Sequence, residues 1–285
     1  MTSRPVGLIT SAASEKLVGG RRTQSIATPF GAAEIVTGQI GARDVAIVLR
    51  YGPAMTVPSH KINFRANIWA LRELGVERVI SQNAIGSVNP VIRPGDIVIS
   101  HDFLDRTKHR VLSLFDDEEC WVRVDMTEPF CPQMRPVLTR AATRQSPRVI
   151  DRGVFACTEG PRFETPAEIR ALQRDGGDIV GTPLVPEVVL AREAELCFAS
   201  IAPVINLGAG MAPAVTHFGA GSMAEFYYTG GLHDLVEQAI THAVAHMPVE
   251  RNCSCGVALK GGFHGARPIW LTRCSLDAAS GTPGA

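Results

Sequence analysis

The segment HKINFRANIWALRELGVERVISQNAIGS, residues 60–87, sets the fold class. Its first part, 60–75, repeats apolar residues at helical spacing and stops at Gly75, the pattern of a helix with one buried face. Arg78 to Gln82 then reads as a short buried strand, and Asn83-Ala84-Ile85-Gly86-Ser87 closes it with small residues. Small residues at the carboxyl end of a parallel strand let a ligand approach the backbone. A plain strand–turn–strand, resumed after Pro94-Gly95-Asp96, is the simpler reading of this stretch taken alone.

The same alternation extends in both directions. Val6–Ile9, Ala33–Ile40, Val45–Arg50, Asp96–His101, Gly153–Thr158, Ile179–Gly181 and Cys197–Asn206 read as strands rich in Val and Ile, several of them bounded by Gly or Pro. Helical patterns fall at 131–144, 165–177, 185–195 and 231–247, and Pro166 sits just inside its helix, where a missing N–H costs least. Alternating strands and helices predict an α/β fold with a mostly parallel sheet covered on both faces. Residues 1–248 make one domain in this reading. After Pro248 the pattern decays into Gly, Pro and Ser, so 249–285 is expected to be a loosely attached tail.

Composition narrows the partners. The 285 residues carry 28 basic and 28 acidic side chains, which leaves no net charge to attract nucleic acid or an anionic membrane. A small molecule is the expected partner. No segment reaches membrane-spanning length, since the most apolar one, 185–215, is interrupted by Glu187, Arg192, Glu193 and Glu195. The run at Val6–Ile9 is too short for a signal peptide, and seven scattered cysteines fit reduced thiols, so a soluble, cytoplasmic, globular protein is expected. Cys253-Ser254-Cys255 is the one close pair, and it reads as a surface thiol pair rather than a metal site.

Four further stretches carry polar groups at strand ends. The turn Thr10-Ser11-Ala12-Ala13-Ser14 follows the first strand where many α/β enzymes close backbone N–H groups around an anion, yet it has no glycine. Arg50 ends another strand, where a buried arginine usually meets an anion or a carboxylate. TEGPRFETPAEI (158–169) sets Glu159, Arg162, Phe163 and Glu164 between a strand and a helix. A carboxylate there suits a sugar hydroxyl or base edge and Phe163 a ring, while capping by Thr165 with solvated charges is the plainer alternative. Asn206, ending an apolar strand before a Gly-rich turn, offers a donor and an acceptor in one plane, or is simply a turn residue.

Eight collinear motifs together resemble the trimeric nucleoside phosphorylases: TPFG (28–31), NFRANIWALRELG (63–75), NAIGS (83–87), PGDIVI (94–99), DFLDRT (102–107), EPFCP (128–132), EGPRFET (159–165) and VPEVVLARE (185–193). The 5'-methylthioadenosine and 5'-methylthioinosine phosphorylases are the branch that looks closest. The resemblance implies a single α/β domain around a mixed, twisted, partly barrel-like sheet, in a homotrimer whose sites lie beside subunit contacts. It implies cleavage of a purine or 5'-modified nucleoside to base and ribose 1-phosphate, with phosphate as co-substrate and neither metal nor organic cofactor. By the same resemblance Asn206 and Glu164 are the catalytic pair on the base. Phe163, Thr182, Asn83 and Ala84 bind substrate, and Arg50, Ala84 and Tyr51 hold phosphate.

The departures from that family cluster at the anion. Its loop hydroxyl aligns with Ala12, its two histidines with Tyr51 and Met55, and a Ser or Thr with Pro183. Weak phosphate dependence is therefore expected, and hydrolysis by a nucleosidase or a non-catalytic nucleoside-binding paralogue stand as alternatives. Asn206, where adenine-specific members carry Asp, predicts 6-oxopurines over 6-aminopurines. The stretch 122–132 aligns with the part that covers a neighbouring subunit's sugar, with Arg123 in place of a His.

Overall fold

Residues 4–11, 17–212 and 220–272 are described by the structure, a computed structural model. The strands in chain order are β1 (Val6–Thr10), β2 (Gly19–Thr28), β3 (Gly31–Ile40), β4 (Arg43–Leu49), β5 (Arg78–Gln82), β6 (Ile85–Ser87), β7 (Ile97–Arg106), β8 (Trp121–Val122), β9 (Val149–Thr158), β10 (Ile179–Gly181), β11 (Cys197–Leu207) and β12 (Phe263–His264). The helices are α1 (Phe64–Glu73), α2 (Met134–Thr143), α3 (Pro166–Arg174), α4 (Leu184–Glu193), α5 (Ala220–Tyr228), α6 (Leu232–Ala245) and α7 (Ile269–Thr272).

β1 lies at the centre, parallel to β4 on one side and to β5 on the other. Its side chains alternate by the pleat: Ile9 packs with α1 and α4 on one face, and Val6 and Leu8 with α2 and α6 on the other. Both faces are thus covered, which is why the strand is apolar up to its terminal Thr10 and buried throughout. The long β11 does two jobs. Its first half, from Cys197, runs parallel to β5, and its second half pairs with β6 after a register shift between Val204 and Asn206. Ile201 to Pro203 also pair antiparallel with β7, which closes β11, β6, β10, β9 and β7 into a five-stranded barrel. The sheet is therefore mixed rather than mostly parallel: β2, β3 and β4 form an antiparallel meander, and β6–β10 and β7–β11 are antiparallel.

The helix ends follow local chemistry. Asn63 caps α1 by accepting from the Ala66 N–H at 3.1 Å. Thr165 and Glu168 form a reciprocal capping box on α3, so the plainer reading of Thr165 holds. The segment from 249, expected to be loose, instead packs on the domain as far as Thr272. β12 pairs with β8, Cys255, Leu259 and Leu271 are buried, and Trp270 stacks with Phe115 at 5.4 Å while meeting Trp69 edge-on at 4.8 Å. Aromatic contacts of this kind outweigh a Gly-rich composition. Cys253 and Cys255 are likewise not a surface pair: Cys255 is buried and Cys253 half-buried, against Cys131 and Cys197. No helix among the described residues is long and apolar enough to cross a membrane.

Candidate active site

A cavity of about 380 Å³ opens where the carboxyl ends of β5, β9, β10 and β11 converge. That is where parallel strands leave backbone and side chains free to meet a ligand. Ala84 and Gly86 come from the β5–β6 junction, Phe163 and Glu164 from the loop after β9, Thr182 from the end of β10 and Asn206 from β11. The volume lies in the range of small-molecule sites. From residues 83–87, Ala84, Ile85 and Gly86 line this cavity.

Two glycines are dictated by the site. A Cβ on Gly86 would stand 3.1 Å from Asn206 Nδ2, so any larger residue would press on the amide. Gly160 has φ +65°, and a Cβ there would lie 2.5 Å from Ser59 Oγ and 3.0 Å from Thr182 Cγ2. These close approaches bring the 158–165 loop against the cavity wall. Glu164 Oε1 accepts from Thr158 Oγ1 at 2.6 Å, which fixes one carboxylate oxygen. Asn206 Nδ2 donates to Leu207 O at 3.0 Å, which uses one of its two N–H groups. A fixed carboxylate, a fixed amide and the half-exposed Phe163 ring, 54% accessible, thus border one space.

The residues expected to hold an anion are arranged differently. Arg50 does not line this cavity. It is buried, with Nε and Nη2 on the two oxygens of Glu187 at 2.8 and 3.0 Å, Nη1 on Gln82 O at 2.7 Å and Nη2 also on Ser81 Oγ at 2.9 Å. A bidentate pair of this geometry is a neutral unit. Asn83 also turns away: its Nδ2 donates to Ser81 Oγ and Ser200 Oγ at 3.1 and 3.2 Å, and only its neighbour Ala84 reaches the cavity. Tyr51 does line it, as do Met55 and Pro183. Among the described residues lining the cavity, Arg162 is the single cation, and both its terminal nitrogens bind Glu168, at 2.7 and 2.8 Å. Those hydrogen bonds hold the Glu168 carboxyl down at about 2. Ala12, Ala13 and Ser14 lie outside the described residues.

Of the residues singled out in the sequence, Asn206, Glu164, Phe163, Thr182, Ala84 and Tyr51 line this cavity, and Arg50 and Asn83 do not. Sequence reasoning missed Ser59, Ile85, Ile205 and Met223, which also line it. Ser59 and Met223 gave no signal, since each reaches the cavity only through tertiary packing, from the turn Ser59–Lys61 and from α5. Ile205 sits beside Asn206 at the register shift of β11, where alternation breaks and both neighbours reach the same space.

The family model described as "Phosphorylase superfamily" matches residues 12–246. A 6-oxopurine nucleoside phosphorylase of Pyrococcus furiosus is 44% identical over 248 residues, which cover 85% of this chain and 92% of the relative. An S-methyl-5'-thioadenosine phosphorylase of Thermofilum pendens is 40% identical over 241 residues, covering 84% and 89%. Among solved structures, a methylthioadenosine phosphorylase from an antarctic soil metagenomic library superposes with a TM-score of 0.84 at 27% identity, covering 99% of this chain and all of that one.

Proposed function

Because the chain belongs to the phosphorylase superfamily, we propose that it is a purine nucleoside phosphorylase acting on 6-oxopurine nucleosides, 5'-methylthio forms included. The bond broken is C1'–N9, and phosphate oxygen takes the anomeric carbon as the base departs. The transition state has oxocarbenium character, so rate comes from accepting negative charge on the base and holding an anion below the sugar.

One observation carries the proposal: Glu164 and Asn206 border the same cavity as the Phe163 ring. A carboxylate accepts the N1–H of hypoxanthine or guanine, and an amide N–H donates to O6 or N7 as charge builds there. Adenine offers the reverse pattern at N1 and position 6, leaving groups unpaired at a cost of a few kcal/mol. Phe163 supplies the ring contact, and Thr182 and the Ala84 backbone face the sugar. Phosphate is assigned to the Ala84 amide and the Tyr51 hydroxyl, with Arg50 acting behind them as a positioning residue. No metal or organic cofactor enters this scheme.

A second reading, hydrolysis, is favoured by the charge inventory, since the one cation among the described residues lining the cavity is already bound to Glu168. A homotrimer completes the proposal: residues 122–132 align with the family's cover for a neighbour's sugar, and none of them lines the cavity of its own chain. The deciding assay follows base release from inosine, 5'-methylthioinosine and their 6-amino counterparts, with and without phosphate. The expected outcome is faster release from the 6-oxo forms with ribose 1-phosphate as product. Free ribose as the sugar product supports hydrolysis, and no base release from any of the four overturns the enzyme reading. Sedimentation tests the trimer, and a fully active monomer refutes it.

A further inference from the structure

We propose that Cys131, Cys197, Cys253 and Cys255 form a four-thiolate site for a soft divalent ion of the zinc type, which clamps the C-terminal segment to the domain. The four sulfurs lie within 4.8 Å of one another. Cys253 Sγ stands 3.4 Å from Cys197 Sγ and 3.8 Å from Cys131 Sγ. Tetrahedral zinc with Zn–S bonds of about 2.3 Å needs sulfur–sulfur edges of about 3.8 Å. The observed separations bracket that value, so ligation requires only small side-chain shifts.

Three separate backbones converge there. Cys131 precedes α2, with its N–H on Phe198 O at 2.8 Å, and Cys197 opens β11, with its N–H on Glu77 O at 2.9 Å. Cys253 and Cys255 come from the segment after α6, at and inside a short 3-10 turn. Two ligands are thus preset by the sheet and two belong to the piece that must be held. Cys131, Cys197 and Cys255 are buried, so the site is closed, as structural zinc sites are. Four thiolates around a divalent ion carry net charge −2, and Arg192 Nη1 already donates to Cys255 Sγ at 3.7 Å, a second-sphere contact that offsets it. None of the four lines the active-site cavity. All four ligands are cysteines, which selects zinc over magnesium or calcium.

The test uses the full chain purified under reducing conditions. Elemental analysis is expected to find a single zinc ion per chain, and cobalt(II) exchange to give the visible spectrum of a tetrahedral thiolate complex. Cys253→Ser with Cys255→Ser should lose the metal, lower Tm and expose the segment after residue 249 to proteolysis. Cys120→Ser with Cys157→Ser should keep the metal. If the double variant at 253 and 255 fails to fold, the wild-type measurements still decide. A folded, metal-free wild-type chain that takes up no cobalt overturns the proposal. So does mass spectrometry showing that the four thiols pair as disulfides in the native protein.

Discussion

Replacing Arg50 with methionine separates two roles that sequence and structure assign to it. In the structure its guanidinium is 1% exposed and bidentate on Glu187, itself 2% exposed. Arg50→Met leaves that carboxylate with the Ser81 hydroxyl, at 2.8 Å, as its remaining partner among the described residues. Breaking a buried pair by removing one member costs about 3–5 kcal/mol. For a chain of this size each kcal/mol moves Tm by about 2–4 °C, so the variant should melt roughly 6–20 °C lower. Glu187→Gln should do comparable harm by stranding the cation. Arg50→Met with Glu187→Met should regain part of the loss, but not all, because the Gln82 and Ile9 carbonyls lose their donor. The double-mutant cycle should then show a coupling of at least about 2 kcal/mol. Scanning fluorimetry in phosphate-free buffer is the assay, because bound phosphate would itself raise Tm by mass action. An Arg50→Met protein with unchanged Tm and a phosphate KM raised a hundredfold would refute this account. Arg50 would then be an anion ligand, and its pairing with Glu187 would contribute nothing to folding.

Three more outcomes follow from the same geometry. Asn206→Asp replaces a donor by an acceptor at the base edge and should lower kcat/KM for inosine by about 10–100-fold while sparing adenosine; equal losses on both refute the assignment. Met55→His with Pro183→Thr adds donors on the anion side of the cavity and should lower the phosphate KM at least about tenfold; an unchanged value means the anion binds elsewhere. Burial pushes the Glu193 carboxyl up to about 7 from 4.5, so the folded state holds a proton that the unfolded chain has released across that window. Stability therefore falls as pH rises from about 4.5 to 7, by on the order of 3 kcal/mol, and Glu193→Gln should flatten that slope in Tm against pH. A parallel slope in the variant would exclude Glu193 as its source.

The eight strands read from sequence all exist, because each is a short Val- or Ile-rich run whose burial is written in its composition. β2 was illegible for the opposite reason. GGRRTQSIAT is mostly exposed and has no apolar face, so only its pairing with β3 makes it a strand. The barrel closure was equally hidden. It depends on β11 leaving β5 for β6 while its other edge takes β7, and period carries no record of a change of partner. Arg50 was legible as a buried arginine meeting an anion or a carboxylate, but not which, because Glu187 lies 137 residues away and looked like an interruption in an apolar stretch. The cysteines failed similarly: the CxC pair was visible, but its completion by Cys131 and Cys197 is a tertiary event.

The distribution of charge around the cavity leads to a statement about where rate enhancement arises. On the base side Glu164 and Asn206 each keep hydrogen-bonding capacity beyond their one internal contact, to Thr158 and Leu207. Hydrogen bonds to charged groups contribute about 1.5–3 kcal/mol each, so these two side chains alone supply on the order of 10²–10⁴ in rate if they strengthen as the base departs. On the side that the proposed scheme assigns to phosphate, Tyr51 and the Ala84 amide would be neutral donors, and Arg50 and Arg162 are matched by Glu187 and Glu168. In the proposed scheme leaving-group stabilisation then outweighs nucleophile binding. A catalyst so arranged should respond more to leaving-group basicity than to phosphate concentration. Across a series of 6-oxopurine nucleosides of rising N7 basicity, kcat should therefore vary over more than an order of magnitude at saturating phosphate. A flat series would place the burden back on the anion side.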